Sequence, residues 1–450
     1  MEKKILTIDE FYKSEILTPA FVENIREFEE VVYEMVKVMN HIHNTNRSYR
    51  FWKLIVIDFV NYKLQRKKEL SEKVVSSSQG FKTAAVQNLI YSVKSFQNRK
   101  SLETIKHVLE NYDNIAHGFH DAELIEKEIG KLIPSYFPII LQKGDVSKRE
   151  RANKLAETYS NNFYKNIILQ LPKAFVEHFD YIYNLYPLVN PEKKAFHVSF
   201  IVSEYVKILV AKYVEHGAKL LFYQHGGGGG EIKDRSIFHD SSVSDNYVTW
   251  GWKIDPNQIP GKAYRCHGFR KRFESYDNEV LYDCTLAFNL IGESDKKFFK
   301  PITDYFLTNI DLKKYPRILG RPRPVRKLGS LKSQLDFIQH PNVSIDSGKT
   351  DMAYIIAHSK ILVTFKWVWP QTVFTESAYV DHPAVAMVID LDCSTVFKPY
   401  YDFFLEQKVF HDTIESLVEH LNTVNIDDWW GKIIQHPMYQ AYKNEFLRQV

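Results

Sequence analysis

A run of five glycines follows a short apolar segment in the sequence LLFYQHGGGGG. Consecutive glycines carry an entropic cost, so they occur where the backbone must approach a ligand closely or adopt positive φ. The N–H groups of such a loop can hold an anion. The run has neither the GK[ST] ending of a P-loop nor a distinct GxGxxG spacing. We predict that Gln224, Gly226, Gly227 and Gly228 bind substrate or nucleotide; a surface turn is the alternative.

One histidine and several acids surround this loop. His225 stands at the predicted end of a strand, where α/β proteins place their ligands, and it could serve as a general base, a phosphate ligand or a donor to a sugar hydroxyl. Glu231, Asp234, Asp240 and Asp245 follow. A carboxylate can stabilise or attack an oxocarbenium-like sugar. We predict that His225, Asp240 and Glu231 are catalytic, with Asp240 favoured. A structural histidine and solvated loop acids are the alternative.

A second group of polar residues lies further along the chain. Arg321 and Arg323 occur in the stiff segment GRPRP, where their guanidinium groups could bind phosphate oxygens. Thr364 ends an apolar run, and Thr372 and Glu376 lie in the predicted helix that follows. A threonine at a helix start can contact phosphate, and a carboxylate can accept two hydrogen bonds from a ribose diol. We predict that these five residues bind the nucleotide; an exposed basic turn is the alternative for the arginines.

The elements around these residues alternate between strands and helices from about residue 195 onward. This alternation is typical of α/β proteins with a mostly parallel sheet. The predicted strands are Ala195–Ser203, Leu220–Tyr223, Asn246–Trp250, Leu281–Ile291, Val343–Ile345, Lys360–Phe365 and Pro383–Ile389. Residues 1 to 190 show the three- and four-residue spacing of helices, and one of these predicted helices is Leu124–Leu132.

These patterns divide the chain into four parts. We predict a helical amino-terminal region at 1–190, and a Rossmann-like unit at 191–270 that packs with it on the acceptor side. A nucleotide-sugar domain is expected at 271–427, and a carboxy-terminal helix at 428–450. The two Rossmann-like domains are expected to face a cleft, with the glycine loop on one wall and Glu376 on the other.

The composition of the chain argues against several classes of protein. The 450 residues include 59 basic and 55 acidic side chains, a net charge of +4, which argues against a nucleic-acid binder. Three cysteines without metal-ligand spacing favour a reducing cytoplasm. No apolar run reaches the roughly 18 residues needed to span a bilayer, so we expect a cytoplasmic protein; peripheral association with the inner membrane face stays open. No clear metal-binding DxD motif is present, and we expect no cofactor or metal.

The two longest motifs resemble those of a known family. YQHGGGGG followed by SDNYVTWGW is similar to the QHGGxYG…SDxYxxWGW pattern of transferases encoded in O-antigen and other surface-polysaccharide clusters, which resemble capsule-type β-Kdo transferases. RSYRFWK near the start, the arginines of GRPRP, Glu376 before His382, and Trp429-Trp430 fall where those proteins carry similar residues. The tyrosine of the family's glycine loop is absent here.

The resemblance implies a GT-B fold and a glycosyltransferase with a nucleotide-sugar donor, such as CMP-activated Kdo or another nonulosonic acid. The acceptor would be a bacterial surface glycan or a lipid-linked glycan. Similarity to β-Kdo transferases favours retention, because a β product from a β-linked CMP donor requires it. The alternatives are a transferase for another nucleotide sugar, a non-catalytic scaffold protein of the same pathway, and a sugar epimerase or phosphate-ester hydrolase.

Overall fold

A computed structural model describes most of the chain. The described residues are 19–64, 67–72, 95–119, 121–134, 144–201, 203–231, 240–283, 302–321, 340–346, 350–366, 372–388 and 393–450. Two of the predicted site residues, Asp234 and Arg323, lie outside them. The chain divides into two compact units, one of residues 1–225 with 235–248 and one of residues 226–234 with 249–450. No helix among the described residues is long and apolar enough to cross a membrane.

The helices of the first unit include several that the spacing predicts. They are α1 (Pro19–His43), α2 (Tyr49–Leu64), α3 (Lys67–Glu72), α4 (Ser95–Asn111), α5 (Ala122–Glu128), α6 (Val146–Glu157), α7 (Asn162–Leu169), α8 (Phe179–Leu185) and α9 (Glu204–Glu215). In α1, the apolar residues at spacings of three and four, such as Phe28, Val32 and Met35, are all fully buried. Their burial is what stabilises a helix of this kind.

Five parallel strands form most of the first sheet. They are β1 (Asn114–His117), β2 (Lys131–Leu132), β3 (Ala195–Val198), β4 (Lys219–Tyr223) and β5 (Asn246–Thr249). Their order across the sheet is β2-β1-β3-β4-β5. This is the flavodoxin-like order, in which ligands bind at the carboxyl ends of the strands where the order reverses. In this sheet that point lies between β1 and β3.

The predicted helix Leu124–Leu132 is wrong in its second half. The helix α5 ends at Glu128, and β2 begins at Lys131. Gly130 separates them, and a Cβ at this position would lie 2.6 Å from the carbonyl oxygen of Asn114. Only glycine therefore lets the chain turn so close to β1, and the helical spacing of the preceding residues gives no sign of the strand.

The second unit has its own parallel sheet. Its strands are β7 (Asn278–Asp283), β8 (Ile318–Arg321), β9 (Val343–Ile345), β10 (Ser359–Lys366), β11 (Ala384–Val388) and β12 (Phe410–His411). A short strand β6 (Gln258–Pro260) precedes them in the chain and is not part of this sheet. The order β9-β8-β7-β10-β11-β12 is the Rossmann order 3-2-1-4-5-6, with its reversal between β7 and β10. All five pairings are parallel.

Helices accompany this sheet. They are residues 302–309, α10 (Met352–Ala357), α11 (Thr372–Tyr379), α12 (Lys398–Glu406), α13 (Ile414–Thr423), α14 (Ile426–Gln435) and α15 (Pro437–Phe446). The core joins β7, β10 and β11 to α13, with Val280, Val363, Val385 and Leu417 among its buried residues. The prediction of an α/β fold with two Rossmann-like sheets is confirmed. That the two domains face a cleft stays a prediction.

Candidate functional site

The glycine loop packs directly against the start of α11. A Cβ at Gly226 would lie 2.8 Å from Oγ1 of Thr372, and one at Gly227 would overlap the side chain of Thr375. The Thr375 hydroxyl in turn donates to the carbonyl of Thr372 at 2.7 Å. Bare backbone at both glycines is therefore what permits this approach. This differs from the expectation that the loop and Glu376 lie on opposite walls, because loop and helix contact each other within the second unit.

The residue that follows the glycine run, Glu231, has a buried carboxyl group. Glu231 is 2% exposed, and it accepts hydrogen bonds from the N–H of Gly228 at 2.7 Å and from the hydroxyl of Tyr442 at 2.8 Å. Burial raises the pKa of Glu231 to about 7, although both hydrogen bonds oppose the shift. The Gly228 N–H is thus already used by the protein. The catalytic role predicted for Glu231 stays a prediction.

The WGW motif (residues 250–252) also packs closely, with Trp252 against the glycine loop and Gly251 against α15. Gly230 has φ +74°, and a Cβ there would overlap the ring of Trp252. Gly251 has φ +141°, and a Cβ there would lie 2.5 Å from the carbonyl oxygen of Glu445 in α15. Ser394 donates its N–H to the carbonyl of Glu231 at 2.9 Å. The two motifs of the family resemblance therefore meet in one packed structure.

Predicted nucleotide ligands line the carboxyl edge of the second sheet. Thr364 of β10 is opposite Asp283 of β7, which is opposite Arg321 of β8. Thr364 is 1% exposed, and its hydroxyl forms no hydrogen bond with any residue that the structure describes. A buried hydroxyl at the reversal point of a Rossmann sheet, with no partner among the described residues, is suited to a ligand.

Arg321 is a buried residue, and not part of an exposed turn. Its Nη1 donates to Oδ2 of Asp346 at 2.8 Å, and both side chains are less than a tenth exposed. The stretch around Asp346 contains no pattern from which this pairing could be predicted.

Glu376 is also buried and paired. It is 3% exposed, and Nε of Arg265 donates to its Oε1 at 2.9 Å. The same region raises the pKa of the Cys266 thiol, through burial first and the Glu376 charge second. Arg265 belongs to the polar, basic segment that the sequence suggested only as a domain boundary, so its role was missed.

The carboxyl edge of the first sheet carries a different set of groups. His225 follows β4, and its Nδ1 lies 3.1 Å from the hydroxyl of Ser199, which follows β3. Phe200 contacts the imidazole with ring centroids 4.4 Å apart. Gln224 is buried, and its N–H donates to the carbonyl of Val248 at 2.8 Å. Ser199 lies in a predicted strand, and its hydroxyl gave no separate signal in the sequence.

Two further acids that follow the glycine loop, Asp240 and Asp245, differ in their surroundings. Asp240 is half-buried at the start of the helical turn 240–243. Asp245 accepts from Nη1 of Arg50 at 3.2 Å and from the N–H of Leu220 at 2.9 Å. Asp245 therefore joins α2 to β4, which is a structural role.

Other motif residues are also explained by packing. Arg47 donates to Glu215 at 2.5 Å, and the indole of Trp52 donates to Asn40 at 2.7 Å. The indole N–H of Trp430 donates to the carbonyl of Asp381 at 2.7 Å. The first contact joins the segment before α2 to α9, the second joins the consecutive helices α1 and α2, and the third joins α14 to the turn after α11.

No group of three or more His, Cys, Asp or Glu side chains in the described part of the chain could hold a metal ion.

The fold and site define a class of protein, namely an α/β protein with two parallel Rossmann-type sheets and a glycine loop fixed to the helix that follows the fourth strand of the second sheet. A family model described as LIC12162 family transferase matches residues 61–450. The chain belongs to this family of transferases. No curated protein matches it.

Solved structures that are similar to parts of this chain include one named as a glycotransferase. The structure of TarM is 12% identical with a TM-score of 0.31, covering 59% of this chain and 52% of that one. The glycotransferase of kitacinnamycin is 10% identical with a TM-score of 0.34, covering 71% and 84%. A putative UDP-N-acetylglucosamine 2-epimerase from Listeria monocytogenes is 8% identical with a TM-score of 0.34, covering 61% and 80%. The chain thus spans about half the length of the TarM chain.

Proposed function

We propose that this protein is a glycosyltransferase that uses a nucleotide sugar, with a CMP-activated ulosonic acid such as Kdo or a nonulosonic acid as the donor. The acceptor is a bacterial surface glycan or a lipid-linked glycan. The observation that carries the proposal is the bare glycine backbone packed on the start of α11. That helix begins six residues after β10 ends, at the carboxyl edge of a Rossmann-order sheet.

The nucleotide half of the donor would bind at this edge. A helix start attracts a phosphate through its N–H groups and dipole, and Thr372 and Thr364 can add hydroxyl donors. Glu376 lies in the same helix and would accept from a ribose diol, while Nε of Arg265 donates to its Oε1. Arg321 contributes positive charge at the end of β8. These groups can stabilise a leaving phosphate without a metal.

The chemical step would use His225 and Asp240. A carboxylate that takes the acceptor proton gives inversion, and one that attacks the anomeric carbon gives retention. The resemblance to β-Kdo transferases favours retention. The hydrogen bond between His225 and Ser199 fixes the imidazole in one orientation, which a proton-transfer group requires.

The proposal is tested first by thermal unfolding with a panel of nucleotides. Selective stabilisation by CMP or CTP supports the donor class, since a ligand that binds only the folded state raises the melting temperature. Stabilisation by UDP or GDP alone would move the proposal to another nucleotide sugar. No response to any nucleotide would favour a non-catalytic scaffold protein.

The second test is catalytic. The protein is incubated with CMP-Kdo and CMP-nonulosonates, with and without glycan acceptors, and CMP release is measured. Acceptor-dependent release is expected. Binding of CMP without release from any of these donors would contradict the proposed sugar class.

A further inference from the structure

The glycine loop is held by the carboxy-terminal helix through one buried contact. The hydroxyl of Tyr442, in α15, donates to Oε1 of Glu231 at 2.8 Å, while Oε2 of the same carboxylate accepts from the Gly228 N–H at 2.7 Å. Both side chains are buried. Glu231 is thus a bridge between the loop backbone and a helix more than two hundred residues later in the chain.

The glycine loop depends on fixed contacts for its conformation. Gly228 and Gly230 have φ of +87° and +74°, a conformation that glycine adopts but does not prefer over others. Five glycines give the unfolded or loosened loop many alternative conformations, so fixed contacts must select one. Glu231 supplies two contacts of this kind, since its carboxyl oxygens accept from the Gly228 N–H and from the Tyr442 hydroxyl.

Tyr442 is itself fixed by aromatic packing. Its ring contacts Phe397, Phe404 and Phe446, with centroid distances of 6.0, 5.1 and 5.6 Å. The hydroxyl is therefore presented from a cluster of packed rings that lies outside the loop. A donor held by ring packing is suited to select one conformation of a glycine segment.

We propose that Glu231 and Tyr442 are positioning residues that hold the glycine loop in the conformation that receives the donor nucleotide, so that α15 sets donor affinity. This rests on the proposed function, and it gives Glu231 a role other than the catalytic one predicted from the sequence. The measured nucleotide affinity is then the intrinsic affinity multiplied by the fraction of molecules whose loop is in the competent conformation. Weakening the bridge lowers that fraction without removing any group that touches the nucleotide.

The experiment compares Tyr442→Phe with Tyr439→Phe. Tyr439 lies in the same helix and is equally buried, and its hydroxyl donates to the carbonyl of Ala378 near the end of α11 at 3.0 Å and to Oδ1 of Asp381 at 3.3 Å, rather than to the loop. Each substitution removes one buried hydroxyl from α15 and keeps the ring. The pair therefore separates a general loss of stability from an effect on the loop.

Two measurements are made on the full chain. Amide hydrogen exchange in residues 224–231 should become faster by about tenfold or more in Tyr442→Phe, the range that loss of one charge-assisted hydrogen bond allows. Calorimetry should show CMP affinity reduced by a similar factor. Tyr439→Phe should leave both quantities within about twofold of the unmodified protein. Equal exchange in the two variants would overturn the proposal.

A double-variant cycle tests whether the two residues act through one contact. Glu231→Leu should weaken CMP binding at least as much as Tyr442→Phe, and the double variant should be no worse than Glu231→Leu alone. Additive losses would contradict a shared bridge. If the unmodified protein binds no nucleotide, the proposed function and the donor part of this proposal both fail, whereas the exchange comparison still decides whether Tyr442 holds the loop.

Discussion

The carboxyl edges of the two sheets carry different chemistry. The carboxyl edge of the first sheet carries two imidazole side chains and one hydroxyl group. His225 lies beside Ser199, and His117 is buried at the end of β1. Burial lowers the pKa of His117 to about 4, an effect that the Ile133 backbone partly opposes, so this imidazole is neutral at pH 7. The second sheet is bordered by carboxylates that already have partners, with Asp346 on Arg321 and Glu376 on Arg265.

This difference between the two edges indicates how a transferase can separate nucleotide recognition from proton transfer. Buried, paired charges hold one geometry and are suited to recognising a nucleotide that is the same in every cycle. A half-buried histidine beside a hydroxyl can exchange a proton with a substrate. Under the proposed function, proton transfer belongs to the first edge and nucleotide recognition to the second, and the following experiments test that division.

The largest effect is expected at Asp240 in the first unit. Asp240→Asn removes the charge and keeps the size, and turnover should fall by at least about 100-fold, the low end for a positioned acid–base group. CMP affinity, measured by calorimetry, should not change. Asp245→Asn is the matched control, because this acid holds Arg50 and the Leu220 N–H and should lower thermal stability instead. Near-normal turnover in Asp240→Asn would leave Asp240 as a loop acid.

The next effect concerns Glu376 in the second unit. Glu376→Ala should weaken CMP binding by about 1.5–3 kcal/mol for each charge-assisted hydrogen bond lost, measured by calorimetry. From the sequence alone, the empty protein would be expected to keep its stability. The ion pair with Arg265 changes this expectation, because truncation leaves a partly buried arginine without its carboxylate.

Glu376→Gln serves as the control for that loss of stability. It keeps a hydrogen-bond acceptor for Arg265, so the variant should unfold closer to the normal temperature while still binding CMP more weakly. Unchanged CMP affinity in either well-folded variant would remove Glu376 from the nucleotide site and weaken the contrast between the two edges.

A smaller effect is expected from one methyl group in the loop. Gly227→Ala places a Cβ against the side chain of Thr375, and overpacking of this kind costs about 1–3 kcal/mol. Thermal unfolding should show the loss, and Thr375→Ala in the same chain should restore part of it by removing the atoms that clash. A Gly227→Ala variant with normal stability and CMP affinity would show that the loop can move away from α11.

Much of this fold follows from local sequence patterns. The predicted strand Val343–Ile345 matches β9, and the predicted helix Thr372–Tyr379 matches α11, because apolar runs and helical spacing are local signals. The strand β1 was missed, since a four-residue strand inside a helical region has no period of its own. Its place in the sheet is set by pairing with β3, a long-range interaction.

The candidate site could be predicted only in part, for the same physical reason. The glycine run and His225 stand out by composition and by their place after an apolar strand. Arg265 and Tyr442 do not, because their function depends on partners 111 and 211 residues away in the chain. A sequence pattern can thus mark a loop that needs support, but it does not name the residues that provide the support.

The smallest expected effect is a change of folding stability with pH that is caused by Glu231. Burial raises its pKa from the ordinary 4.5 to about 7 in the folded protein, and only the hydrogen bonds from Tyr442 and Gly228 oppose this. Between these values the folded state binds more protons than the unfolded state, so the stability that this group contributes is complete below 4.5 and is lost as pH rises through 7. Glutamine cannot ionise and avoids the loss.

Glu231→Gln should therefore raise the melting temperature relative to the unmodified protein by a few degrees more at about pH 8 than at about pH 5. Glu279→Gln is the matched control. Hydrogen bonds and charge from Arg317 outweigh burial and lower the pKa of Glu279, so this carboxylate is ionised at both pH values and its substitution should cost the same at each. Melting curves of the three proteins at the two pH values decide the matter. A flat difference for Glu231→Gln would mean that the carboxylate is ionised throughout, held by its two donors, and that the second edge keeps its charges fixed across the whole physiological range.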